Sequence, residues 1–152
     1  SNRKTSAKDL ASKFYLSSGK HNDPIDSWYI EILPGNRLMF VGVECRYRRG
    51  NAQTATTNSS IHGKHDRLMK DLFGEEQQDI IFGEGDDQYT LSPENVVLVV
   101  ASFQKLPAKI KKYKEPYNII LLDEEQLRKL YSPTLLPLPI LWQTLRSQAA
   151  SK

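Results

Sequence analysis

With 152 residues, a formal charge of +3 and one cysteine, the chain has mass enough for a single core and excludes an intramolecular disulfide framework. Hydrophobic residues at 39% and charged residues at 26% give an ordinary soluble globular balance, and no apolar run nears the ~20 residues that span a bilayer. The mild positive charge permits acidic partners without demanding nucleic acid, and the cysteine count favours a reducing compartment.

The opening SNRKTSAKD has no charged segment leading into an apolar one, so no secretory signal is read. Residues 1–11 are expected to be a flexible segment or tag remnant ahead of a domain cut from a longer protein. KFYLSS then reads as a short strand and GKHNDP as a turn. SWYIEIL (27–33) and RLMFVGVECRYR (37–48), separated by Pro34-Gly35-Asn36, predict an antiparallel hairpin. In its second arm Met39, Val41, Val43, Cys45 and Tyr47 share one face, and Leu38, Phe40, Gly42, Glu44 and Arg46 share the other. The second face turns polar at Glu44, so the first is expected to face the core, with Cys45 a buried small hydrophobe.

Residues 50–65 are small and polar and read as a surface loop, followed by a short helix over 66–73. QDIIFGEGDDQYTL predicts two short strands around an acidic turn. Pro93 separates these from NVVLVVASF, a strand buried on both faces. A basic connector, the strand YNIILL and the helix DEEQLRKLY follow, the helix with acids first and bases last as its dipole prefers. ILWQTLRSQAA closes as a helix. About six strands, two or three short peripheral helices and no βαβ alternation predict a mostly β fold. The expected form is a compact antiparallel β-barrel or sheet domain over residues 12–147, including the C-terminal helix.

No catalytic constellation is read. His62 and His65 lie three apart without a third ligand and read as solvated loop histidines, so no metal or other cofactor is expected. GEGDD lacks the spacing of a calcium loop, and no nucleophile elbow occurs. A deep pocket where several acids and a histidine converge would reopen the enzyme reading.

Binding signals are more specific. Arg46, Arg48 and Arg49 cluster at one strand end, and Lys109, Lys111 and Lys112 line the connector, with Tyr47 and Tyr113 interleaved. Such groups suit an acidic protein patch or a phosphate backbone. Trp28, Tyr29 and Tyr47 form a candidate aromatic groove; ordinary cross-strand packing is the alternative.

The order KFYLSSG…DP, SWYIEIL, VGVECRYRRG resembles the opening strands of bromo-adjacent homology (BAH) domains. HDRLMKDLF, DDQYTLSPENVVLVVASF and EPYNIILLDEEQLRKLYSP are similar to the segments that follow, best in the origin-recognition subunit 1 type. The family's tryptophan-aromatic-arginine-proline element is replaced by Cys45-Arg46-Tyr47-Arg48-Arg49, and GEEQQD follows Phe73 in place of the aromatics that complete a methyl-lysine cage, so a complete cage is not implied. The resemblance implies a nuclear, non-catalytic module that meets a histone, a nucleosome, or a silencing or replication protein, with no membrane or small-molecule substrate. DIIFGEGDDQYTLSPENVVLV also resembles the end of a Tudor barrel. That leaves a nucleic-acid-binding or methyl-lysine-reading barrel as the alternative.

Overall fold

The computed structural model describes residues 6–17, 23–46, 58–102 and 118–131. In chain order these form α1 (Ala7–Ala11), β1 (Phe14–Leu16), β2 (Ser27–Leu33), β3 (Arg37–Arg46) and α2 (Asn58–Phe73). Then come β4 (Ile80–Phe82), a 3-10 turn (Gly85–Asp87), β5 (Tyr89–Ser102), β6 (Ile119–Leu122) and α3 (Glu124–Tyr131). The fold is mostly β, with the strands in one six-stranded sheet ordered β1-β2-β3-β5-β4, and β6 also pairs with β5. No helix of the described residues is long and apolar enough to cross a membrane.

The predicted hairpin forms, with β2 and β3 joined through Pro34, Gly35 and Asn36 and registered from Ser27↔Val43 to Leu33↔Arg37. Gly35 and Asn36 take φ of 79° and 54°, the left-handed region that glycine and asparagine tolerate best. The expected antiparallel barrel is corrected in two respects. Strand β5 runs parallel to β3 and to β6, and the sheet is open among the described residues. The cause is α2, which carries the chain back across the sheet after β3 and so returns β5 in the same direction. β5 is thereby flanked along its second half by two parallel neighbours, which accounts for the apolar run NVVLVVAS. Pro93 does not end the strand. Between the pairs Leu38↔Leu91 and Phe40↔Val96, β5 takes five steps where β3 takes two, and the resulting bulge holds the proline.

The core lies on the face that carries α1 and α2. Leu38, Phe40, Val96, Leu98 and Val100 are buried against Ile61, Leu68 and Met69 of α2, and Ala7 of α1 joins the same cluster. The expected core face of β3 is therefore reversed: Leu38, Phe40 and Gly42 point to the helices, while Cys45 is exposed. Gly42 permits the approach, because a Cβ there would sit 2.9 Å from Ile25 Cγ2 and 3.3 Å from Leu68 Cδ2. The segment expected to be loose contains α1, capped by Ser6 Oγ, which accepts the Asp9 N–H at 3.1 Å. α2 begins at Asn58, eight residues before the predicted start, so residues 58–65 are helix and not surface loop. The buried Ile61 is what anchors that extra length. At α3, Asp123 Oδ1 accepts the Glu125 and Gln126 N–H groups, and Gln126 Oε1 accepts the Asp123 N–H, a reciprocal cap. The expected closing helix lies outside the described residues.

Candidate functional site

The β2–β3 hairpin brings the start of β2 and the end of β3 to one end of the sheet. β3 and β5 run parallel, and Arg46 pairs with Ser102 at their shared carboxyl ends. The first turns of α2 lie at that same end, since Arg46 bonds to Ser60. In open sheets with parallel strands, ligands collect beyond the carboxyl ends of the strands.

Glu44 stands there on the helix-facing side of β3 and is 8% exposed. Arg46 Nε donates to its Oε1 at 3.2 Å, while Arg46 Nη1 donates to Ser60 Oγ at 3.0 Å and Nη2 to the Ser60 carbonyl at 3.5 Å. From α2, Lys64 Nζ approaches the second oxygen, Oε2, at 3.2 Å. That is ion-pair distance, but the angle leaves Oε2 without a hydrogen bond. Lys64 Nζ donates instead to the Asp23 carbonyl at 3.0 Å, and the Asp23 carboxylate accepts the Ser17 hydroxyl at 2.7 Å.

A second carboxylate joins from β2. Asp26 Oδ2 accepts the Cys45 N–H at 2.6 Å, and the Asp26 N–H donates to the Val43 carbonyl at 2.8 Å. Asp26 is thus tied to the residue that follows Glu44. Although its side chain is exposed, desolvation by the packed surroundings pushes the Cys45 thiol up, and the charges of Asp26 and Glu44 add to this. The thiol is held away from the nucleophilic thiolate form. Among the described residues no group of three or more His, Cys, Asp or Glu is placed to hold a metal ion, so any ion here would rest on two carboxylates at most.

Of the basic residues expected to face a partner, Arg46 is turned inward, its side chain 13% exposed in the pair with Glu44. Arg48, Arg49, Lys109, Lys111, Lys112 and Tyr47 lie outside the described residues. The candidate aromatic groove is not assembled from Trp28 and Tyr29, because neighbouring strand residues point to opposite faces. Trp28 stacks between Tyr15 at 4.1 Å and Phe40 at 5.3 Å, and Tyr29 stacks on Phe14 at 6.0 Å. His65 is buried on α2, not solvated, and burial lowers its pKa against the opposing pull of Asp66.

Asp26, Glu44 and Lys64 were not among the residues expected from sequence. A signal for the first two existed: counted outward from Gly35 at the turn, Asp26 and Glu44 are equally distant. No such count reaches Lys64, whose place depends on where α2 packs. Comparison with protein-family models, curated proteins and solved structures found no match for the chain.

Proposed function

We propose that this end of the sheet is a divalent-cation-dependent phosphodiesterase site acting on nucleic acid. The observation that carries the reading is the Asp26–Cys45 hydrogen bond, which draws a second carboxylate to the strand end where Glu44 meets Arg46 and Lys64. Mg2+ is typically bound by one or two protein carboxylates, with water and substrate phosphate completing its shell. A bound ion of this kind activates water and polarises a phosphoryl oxygen. Arg46 supplies a fixed positive charge, and Lys64 a movable one, where negative charge grows on the phosphate. Nucleic acid is favoured as the substrate class by Arg48 and Arg49, which follow the inward-turned Arg46 in the chain and add positive charge of the kind a phosphate backbone attracts. The reading departs from the non-catalytic expectation because the acids and cations meet only once the hairpin and α2 are folded.

The test is incubation of plasmid, single-stranded DNA and RNA with Mg2+ or Mn2+, using chelator and Glu44→Gln as controls. Metal-dependent cleavage that disappears in Glu44→Gln is the expected result. Intact substrate under every condition overturns the proposal.

A second reading retains the non-catalytic nuclear module that meets a histone, a nucleosome, or a silencing or replication protein. It is favoured by Glu44 already holding two cations, an arrangement that also serves as a structural clamp. Retention of nucleosomes by the wild-type chain, lost in the Arg48→Glu, Arg49→Glu double variant and without cleavage of any substrate, would select it.

A further inference from the structure

We infer that Lys64 is a resident counter-cation of the acid pair, which a divalent ion must displace from Glu44 before the site is loaded. The inference rests on the metal-site reading above. It comes from an asymmetry between the two cations on Glu44. Arg46 is fixed: its guanidinium bonds to Glu44 Oε1 and twice to Ser60, and its side chain is 13% exposed. Lys64 is held differently. Among the described residues its ammonium donates to the Asp23 carbonyl, its contact with Oε2 lacks hydrogen-bond geometry, and its side chain is 29% exposed.

A lysine ammonium is a compact charge on a flexible stem, so it can leave one oxygen and keep another. The Asp23 carbonyl offers such a second partner, on the connection that leads into Asp26. Glu44 Oε2 is the oxygen of that carboxylate not already bonded to Arg46, so it is the one a metal ion would take. An ion there meets the positive charge of Lys64 at close range, and that repulsion is weakly screened where Glu44 is buried. Lys64 therefore neutralises the acid when the site is empty and lowers its affinity for a divalent ion.

The experiment measures Mn2+ binding to the full chain by calorimetry for wild type, Lys64→Gln, Lys64→Arg and Glu44→Gln. Lys64→Gln keeps a donor for the Asp23 carbonyl and removes the charge, and Lys64→Met, which keeps most of the stem, is the second variant if the glutamine protein does not fold. The expected result is Mn2+ bound about tenfold more tightly by Lys64→Gln, near wild-type affinity in Lys64→Arg, and loss of the ion in Glu44→Gln. Equal or weaker binding by Lys64→Gln, with the ion still lost in Glu44→Gln, overturns the role of Lys64 and leaves the metal site standing. No Mn2+ bound by wild type or by either uncharged variant overturns the metal-site reading and the inference with it.

Discussion

The Asp26 carboxylate accepts the backbone N–H of Cys45 at 2.6 Å, across the open end of the β2–β3 hairpin. This bond does two things at once. It carries the hairpin's bonding past the last ladder pair, Ser27↔Val43, and it holds the aspartate to the residue that follows Glu44. The two roles separate in variants. Asp26→Asn keeps an acceptor oxygen and should melt near wild type while losing metal-dependent cleavage. Asp26→Ala should also lose about 1 kcal/mol of stability, read by denaturant unfolding. Cleavage by Asp26→Asn at the wild-type rate would remove the aspartate from the site.

Arg46 reaches Glu44 and Ser60 together because its guanidinium is a planar fork. Arg46→Lys can hold one of them and not both, so stability should fall by about 1 kcal/mol. Arg46→Ala should cost about 3 kcal/mol, the low end for breaking a buried ion pair, since Lys64 still faces the carboxylate. Chemical denaturation of the three proteins checks the order.

Gly42 lies beneath the point where Ile25 and Leu68 meet. Gly42→Ala should destabilise by about 2 kcal/mol, because the added Cβ meets Ile25 Cγ2 at 2.9 Å and that methyl, fixed on a β-branched carbon, moves only with its backbone, and Gly42→Val by about 3 kcal/mol. Displacing α2 also moves Lys64, so Gly42→Ala should alter Mn2+ affinity while an exposed-site substitution of equal cost should not. Calorimetry on both proteins makes the comparison.

His65 links stability to pH. Burial is the main cause that lowers its imidazole below the ordinary 6.5, with Asp66 opposing. Between the lowered folded value and 6.5, the unfolded chain takes up a proton that the folded chain refuses. Stability from this group is therefore present above 6.5, falls as pH drops below it, and levels off under the folded pKa. Melting temperatures measured downward from neutral pH should show this loss, and His65→Gln should flatten it.

Much of the local structure was legible in the sequence. Period-two runs on either side of Pro34-Gly35-Asn36 predicted β2 over residues 27–33 and the start of β3 at 37, and the apolar run near the end of β5 predicted that strand, in which Val96, Leu98 and Val100 are buried and Val97 and Val99 on the other face only half-buried. The acids of DEEQ and the bases that follow predicted α3 and its polarity. These features depend on neighbours in the chain, so a local pattern is enough to read them.

Which face of β3 is core was not a local property. Glu44 turns the 38-40-42 face polar, and in isolation that marks the solvent side. In the folded chain the polarity marks the place where the core runs out into a site. The helix over 58–65 was hidden for a similar reason: its small polar residues carry weak helical preference, and the burial of Ile61 under tertiary packing supplies what propensity does not. Sequence by itself determined a hairpin about Pro34-Gly35-Asn36, and with it the equal distance of Asp26 and Glu44 from the turn. The direction of β5, the inward turn of Arg46 and the arrival of Lys64 from α2 were decided by the crossover that returns the chain over the sheet, because contacts between distant segments exist only when the whole sheet is in place.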